Sequence, residues 1–185
     1  APKAGDTIVD VCGAPGGKSI NAALKMSEQG DCGRVIARDL SDYKVALIDE
    51  NIKRLNITNI QTQVYDALDC DESLINKADI VIADLPCSGL GIIGRKPDIK
   101  YNASPEKLQS LVDLQRDILK VVSRYVKSGG VLMYSTCTIN RAENEDNADW
   151  ICKESGFTKD GEYHQLLPAN NSGMDGFFVA RLIKS

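Results

Sequence analysis

The chain has 185 residues, of which 43% are hydrophobic and 26% are charged, and its formal net charge is −4 at pH 7. This length predicts one domain, residues 1–185, with a single hydrophobic core. The acidic balance argues against binding of nucleic acid by general electrostatic attraction, and no apolar run reaches the about 20 residues of a membrane-spanning helix. The N-terminal residues lack the pattern of a signal peptide. We therefore expect a cytoplasmic protein with no membrane partner.

Apolar runs rich in valine and isoleucine alternate with segments of helical spacing along most of the chain. The runs predict strands at Thr7–Cys12, Arg34–Asp39, Ile60–Asp66, Asp79–Asp84 and Val131–Cys137. The clearest helices are predicted from about Asp42 to Leu55, from the Ser104-Pro105 N-cap through Val126 to Gly129-Gly130, and from about Arg141 to Glu154. Continuous apolar strands joined by helices are typical of a parallel sheet covered on both faces.

The C-terminal tail departs from this alternation. Two apolar segments, His164–Leu167 and Gly176–Ile183, are separated by the turn-rich stretch PANNSGMDG and have no helix between them. This pattern predicts an antiparallel pair of strands at the sheet edge. Phe177 and Phe178 are expected in the core, with stacking on a nucleic-acid base as the alternative. The whole chain thus predicts an α/β, mostly parallel sheet of seven strands.

Cysteine usage argues against a metal site. The sequence has one histidine and no Cys-x-x-Cys pair, so neither a zinc site nor a secreted disulfide framework is predicted. We expect no metal and free thiols. The cysteines are Cys12, Cys32, Cys70, Cys87, Cys137 and Cys152.

The stretch VDVCGAPGGKS, residues 9–19, ends the first strand in a glycine-rich turn. A phosphate-binding loop requires G-x-x-x-x-G-K-[ST], and Cys12 occupies the position of its first glycine. What is present is a strand, a glycine turn, a helix N-terminus and an acidic residue, Asp39, at the end of the next strand. This arrangement suits an adenosine ligand whose ribose meets Asp39 and whose charged tail lies along the N–H groups of Gly16 and Gly17.

S-adenosylmethionine fits that description, and Asp66 at the third strand end is a candidate contact for its adenine amino group. Two alternatives stay open at this point. The glycines could form a tight turn without a ligand, or the chain could be a nucleotide triphosphatase in which Asp84 holds magnesium.

Two cysteines follow strand ends, Cys87 in DLPCSG and Cys137 in STCT. A single such cysteine is more often a core residue, but two at adjacent strand ends favour a chemical role. Methylation at C5 of a pyrimidine requires a thiolate that adds to C6 and a base that later takes the C5 proton. Asp84, Cys87 and Cys137 supply a carboxyl group near N3, a nucleophile and a release group. The chemistry alone does not order the two cysteines.

These motifs, with the closing DGFF, resemble the Sun and nucleolar-protein family of RNA cytosine-C5 methyltransferases, in order from Pro2 to Lys184. The resemblance implies a Rossmann-like class I methyltransferase that uses S-adenosylmethionine and acts on RNA, most simply ribosomal RNA. It implies that Cys137 is the nucleophile, that Cys87 assists product release and that Asp84 is catalytic. The cofactor contacts that it implies are Cys12, Gly13, Ala14, Pro15, Gly16, Gly17, Lys18, Asp39, Lys44, Asp66 and Asp84.

The sequence departs from the family in two respects. Gly13 stands where alanine is usual, and the family's N-terminal RNA-binding regions are not in this sequence. We therefore expect a catalytic domain whose affinity for RNA lies largely elsewhere. The best local candidate for a polyanion contact is the basic group Arg95, Lys96 and Lys100, with a solvated loop as the alternative. A non-catalytic RNA-binding or ribosome-assembly factor on the same fold is the alternative function.

Overall fold

The computed structural model describes residues 1–30, 33–168 and 174–185, and these form one mixed sheet with helices around it. The strands are β1 (Thr7–Asp10), β2 (Arg34–Asp39), β3 (Ile60–Val64), β4 (Ala78–Asp84), β5 (Val126–Thr136), β6 (Phe157–Lys159), β7 (His164–Leu166) and β8 (Phe177–Lys184). The α-helices are α1 (Gly17–Ser27), α2 (Asp42–Arg54), α3 (Ile99–Asn102), α4 (Pro105–Val122) and α5 (Glu145–Ser155). Short 3₁₀ turns lie at Glu72–Leu74, Leu90–Ile92 and Arg141–Glu143.

The strand order is β3-β2-β1-β4-β5-β8-β6, and β7 also pairs with β8. Strands β3 to β5 in that order are parallel, whereas β8 runs antiparallel to β5, β6 and β7. The predicted α/β, mostly parallel sheet with an antiparallel edge is confirmed. The chain direction across the sheet reverses between β1 and β4, so the loops after these two strands flank a topological switch point, where such sheets place ligands.

The sheet has eight strands in the described residues, so the predicted number of seven was wrong by one. The missed strand is β6, which has three residues and follows Gly156, the left-handed residue that ends α5 with φ 67°. A strand this short shows no alternation in the sequence. Its partner is β8, with Thr158 opposite Ile183.

The predicted long helix was wrong at its end. Helix α4 begins as predicted, at the Ser104 N-cap, but it ends at Val122, and Val126 opens β5. Gly129, with φ 73°, and Gly130 therefore lie inside a strand, where the register of β5 against β4 shifts. The pair marks a strand irregularity rather than a helix terminus.

The two faces of the sheet are packed differently. Helices α4 and α5 cover one face, with Tyr134, Phe178 and Leu119 fully buried. Helix α1 packs on the other face. Beyond it, partly exposed side chains of β5 and β8, such as Met133 and Val179, line a groove of about 790 Å³. Among the described residues, α1 is the helix that lines this groove. The expectation that helices cover both faces of the sheet is therefore met only in part, because this face of β5 and β8 borders the groove.

Five cysteines are described, and all are free. Cys32 and residues 169–173, which include most of the predicted PANNSGMDG turn, lie outside the described residues. Across the described parts of the chain, no helix is long and apolar enough to cross a membrane, and no group of His, Cys, Asp and Glu is arranged to hold a metal ion.

Candidate active site

The glycine turn, residues 13–17, connects β1 to α1. Gly13 donates its N–H to the Arg38 carbonyl at 2.7 Å, and Gly16 donates to the Gly13 carbonyl at 2.6 Å. Gly16 is the N-cap of α1 and has φ 106°, a left-handed conformation that favours glycine. A methyl group added at Gly17 would meet no atom within 4 Å. The turn therefore presents open backbone at the start of a helix, where a ligand can approach closely.

Asp39 ends β2 and is tied to this turn. Its buried carboxylate accepts N–H groups from Ala14 at 3.0 Å and Leu40 at 2.8 Å, and it forms an ion pair with Lys44 at 3.0 Å. Lys44 lies in the first turn of α2 and is half exposed. The geometry brings together three of the predicted cofactor contacts: Ala14, Asp39 and Lys44.

Asp66 is placed less directly. Strand β3 ends at Val64, two residues earlier than expected, so Asp66 lies in the following loop. Its carboxylate accepts the N–H of Leu68 at 2.9 Å. Asp66 therefore shapes its own turn, and its predicted contact with adenine stays a prediction.

Asp84 ends β4 on the other side of the switch point. Its carboxylate accepts hydrogen bonds from Lys18 at 2.6 Å and from the Ser135 hydroxyl at 2.7 Å. The Lys18 ammonium also lies 5.2 Å from the centre of the Phe177 ring. Lys18 thus connects the glycine turn to Asp84. Phe177 borders the groove, whereas Phe178 is a core residue as predicted.

The two predicted cysteines meet. Cys87 and Cys137 follow adjacent strands, and their Sγ atoms are 3.2 Å apart, within hydrogen-bonding distance. The hydrogen bond with Cys87 lowers the pKa of Cys137 to about 7, although burial opposes this change. The same hydrogen bond, together with burial, raises the pKa of Cys87. Either sulfur can donate while both thiols are neutral, and Cys87 is the donor once Cys137 ionises.

Asp10, at the end of β1, was not assigned by the sequence. It is 1% exposed, it accepts the Ser19 hydroxyl at 2.6 Å on Oδ2, and its buried Oδ1 has no hydrogen-bond partner. Burial raises its pKa to about 6. An acidic residue at the end of an otherwise apolar strand was the available signal. Next to it, burial raises the pKa of Cys12 to about 12, so this thiol stays neutral.

Glu143 is a second residue that sequence reasoning missed. Its side chain is fully buried, and its carboxylate accepts hydrogen bonds from the Ser88 N–H at 2.9 Å and from the Asn140 amide at 2.9 Å. Ser88 directly follows Cys87, and Asn140 lies three residues after Cys137. The carboxylate is therefore shared between the two segments that carry the thiols.

The basic group follows a loop that is joined to the Cys137 segment. Gly91 donates its N–H to the Cys137 carbonyl at 3.1 Å, which anchors the start of this region. Arg95 forms an ion pair with Asp175 at 3.0 Å, whereas Lys96 and Lys100 are exposed. Their predicted contact with a polyanion stays a prediction.

A family model described as 16S rRNA methyltransferase RsmB/F matches residues 1–183. The chain belongs to this family. It is 37% identical over 202 residues to "Probable ribosomal RNA small subunit methyltransferase B" of Bacillus subtilis, covering 99% of this chain and 44% of that protein. It is 33% identical over 198 residues to "Ribosomal RNA small subunit methyltransferase F" of Escherichia coli, covering 96% of this chain and 40% of that protein.

The fold is shared with a solved structure. The crystal structure of NSun6 from Pyrococcus horikoshii with SFG is 28% identical, with a TM-score of 0.85, and the match covers 99% of this chain and 49% of that one. The RsmB/F membership confirms the resemblance inferred from the motifs, and it disfavours the triphosphatase and the non-catalytic factor. The chain spans less than half the length of the curated relatives it matches.

Proposed function

We propose that this chain is the catalytic domain of an S-adenosylmethionine-dependent methyltransferase that methylates C5 of a cytosine in RNA, with ribosomal RNA as the substrate. The observation that carries the proposal is the cysteine pair, with Sγ atoms 3.2 Å apart, in a member of the RsmB/F family. A base with a poorly nucleophilic C5 needs a thiolate, and Cys137 is the sulfur that ionises near neutral pH.

The residues at the glycine turn fit the proposed cofactor. The open backbone at Gly17 suits a charged chain, and the Asp39 carboxylate suits ribose hydroxyls. Asp10, at the end of β1 where the glycine turn begins, has a buried Oδ1 atom without a hydrogen-bond partner. When bound, S-adenosylmethionine supplies the electrophilic methyl group. Cys12 through Lys18, Asp39, Lys44, Asp66 and Asp84 are the residues proposed to hold it.

The chain's own groups carry the remaining steps. The Cys137 thiolate forms a bond to C6 of cytosine, and the electron pair of the C5–C6 double bond makes C5 nucleophilic. Asp84 is held by Ser135 and Lys18. It is the carboxyl group proposed to lie near N3 and to stabilise the charge that develops on the ring when the thiolate adds. Once C5 carries the methyl group, a base takes the C5 proton, the double bond re-forms and the C6–S bond breaks. Cys87 adjoins that bond and is the proposed release group.

The test is transfer of labelled methyl from S-adenosylmethionine to small-subunit ribosomal RNA by the intact protein. Digestion of the RNA to nucleosides followed by chromatography identifies the product. We expect 5-methylcytidine. Label in another nucleoside, or no label in RNA under conditions where the protein is folded, contradicts the proposal.

A further inference from the structure

The two thiols lie on separate loops that do not follow one another in the chain. The Cys87 loop, residues 85–89, follows β4, and the Cys137 loop, residues 137–140, follows β5. The pairing of β4 with β5 ends at Asp84 and Ser135, and β5 itself ends at Thr136. Strand pairing therefore does not fix the positions of the residues that follow. The 3.2 Å separation of the sulfur atoms must therefore be set by contacts made after the strands end.

One of these contacts is the hydrogen bond from the Gly91 N–H to the Cys137 carbonyl, and Glu143 makes contacts to both loops. One carboxylate oxygen accepts the backbone N–H of Ser88 at 2.9 Å and the side-chain amide of Gln115 at 3.0 Å. The other accepts the side-chain amide of Asn140 at 2.9 Å. Gln115 also donates to the Pro86 carbonyl at 2.9 Å, so it holds the residue before Cys87 while Glu143 holds the residue after it.

A second connection runs directly between the loops. The hydroxyl groups of Ser88 and Thr138 are 2.7 Å apart. Asn144 fixes the other side of Thr138, because its side-chain amide donates to the Thr138 carbonyl at 3.0 Å while its oxygen accepts the Thr136 hydroxyl at 2.5 Å. Each loop is therefore held both to the other and to the turn that contains Glu143.

A fully buried carboxylate is costly unless hydrogen bonds satisfy it, and replacing it leaves its former donors without partners. Glu143 has three donors and is 0% exposed. None of these hydrogen bonds is to a sulfur atom, so Glu143 holds the site through the loops, and its charge in addition raises the pKa of Cys137. Reactions of this kind are sensitive to small displacements, since a shift of about 1 Å can cost about 100-fold in rate.

We propose that Glu143 is a positioning residue that sets the separation of Cys87 and Cys137 by holding the Cys87 loop and the Cys137 loop together. The catalytic part of this inference rests on the proposed function, whereas the geometric part does not. The buried carboxylate accepts the Ser88 N–H on one loop and the Asn140 amide on the other.

The decisive variant is Glu143→Gln, which conserves the size of the side chain but replaces one acceptor oxygen by an NH₂ group. That group cannot accept the hydrogen bond that the Asn140 amide donates to Glu143. With the amide oxygen kept toward Ser88 and Gln115, the new N–H faces the Asn140 amide. Asn140→Asp supplies an acceptor at that point and keeps the oxygen that accepts the Ala142 N–H at 3.2 Å. The double variant therefore restores every hydrogen bond with the negative charge moved to position 140. Glu154→Gln, at an exposed site on α5, is the matched control.

Two readouts are measured on the intact protein, with thermal unfolding as the check on folding. The first is methyl transfer to RNA. The second is cross-linking of the thiols by diamide, in which two thiols lose two electrons and two protons to the N=N bond and form a disulfide. Mass spectrometry follows the Cys87–Cys137 bond. This second readout reports sulfur geometry whether or not the protein methylates RNA.

We expect Glu143→Gln to slow both readouts, methyl transfer by about 100-fold, and the double variant to restore most of both. Glu154→Gln should match the wild type. Wild-type cross-linking in Glu143→Gln, or a folded double variant that stays as slow as the single variant, would overturn the proposal. If the wild type transfers no methyl to RNA while the cross-linking pattern appears as expected, the proposed function fails and the positioning role stands.

Discussion

The carboxyl edge of the sheet contains two regions that are built in different ways. The cofactor half, formed by the glycine turn and Asp39, is held mainly by backbone N–H groups, and Ala14 and Asp39 are 25 residues apart in sequence. The thiol half, formed by the Cys87 loop and the Cys137 loop, is held by buried side chains of α4, β5 and the turn at Glu143. Within it, Ser88 and Glu143 are 55 residues apart in sequence.

This difference concerns both exposure and chemistry. In the cofactor half, the ion pair of Asp39 with the half-exposed Lys44 is screened by water. In the thiol half, Glu143 and Gln115 are 0% exposed. When either is substituted, water cannot replace the hydrogen bonds that its partners lose. A cofactor site must open for exchange, whereas a nucleophile must be held in one place. We therefore expect substitutions in the thiol half to have larger effects on activity.

The largest expected effect is that of Cys137→Ser. Loss of the nucleophile should lower methyl transfer by about 10⁴-fold or more, because the C6 bond cannot form. No covalent RNA adduct should appear. Labelled RNA and the intact protein are run on a denaturing gel, with Cys152→Ser, a half-buried cysteine on α5, as the control. A shifted RNA band with Cys137→Ser would mean that this residue is not the nucleophile.

The second prediction concerns Cys87→Ser. Since the release group acts only after the C6 bond has formed, this variant should transfer a methyl group and then stall with RNA attached through Cys137. Turnover should fall by about 10²- to 10⁴-fold, the range for general acid–base groups. The same gel separates the two variants. A shifted band for Cys137→Ser and none for Cys87→Ser would reverse the two roles, and a shift with neither would remove the release role of Cys87.

The sequence predicted that the glycine turn and Asp39 lie together, but it missed Asp10 in the cofactor half and Glu143 in the thiol half. Gly16 and Asp39 follow strand ends within a short stretch, so spacing was enough to bring them together. Cys87 and Cys137 were also predicted as neighbours, because parallel strands end at one edge. Glu143 was missed because a glutamate in the first turn of a predicted helix has the pattern of an exposed N-terminal residue. Its contacts with Ser88 and Gln115, both distant in the chain, show that it is buried.

The fold shows the same limit. The alternation of strands and helices predicted the sheet, but local patterns could not decide where α4 ends. Val122 and Val126 satisfy helical spacing, and Val126 satisfies a strand equally well. Its pairing with Ala78 on β4, a contact distant in the chain, decides for the strand.

A smaller effect is expected in the cofactor half. Asp39→Ala removes a charged acceptor and frees the Ala14 and Leu40 N–H groups, and it should weaken S-adenosylmethionine binding by about 10- to 100-fold. Calorimetry measures the dissociation constant. Lys44→Gln removes only the solvent-screened ion pair with Asp39, so it should change the affinity for S-adenosylmethionine by about fivefold or less. Unchanged affinity for Asp39→Ala would remove the assignment of the ribose to this residue.

The last prediction concerns the pH dependence of Cys137 in the thiol half. The hydrogen bond from Cys87 lowers the pKa of Cys137 to about 7, so the reactive thiolate should rise about tenfold per pH unit below 7 and level off above it. Alkylation of Cys137 by iodoacetamide, followed by mass spectrometry, reports this titration without RNA. In Cys87→Ala the hydrogen bond is gone, and the midpoint should move to higher pH. A midpoint that stays near 7 in that variant would show that another group, and not Cys87, stabilises the Cys137 thiolate.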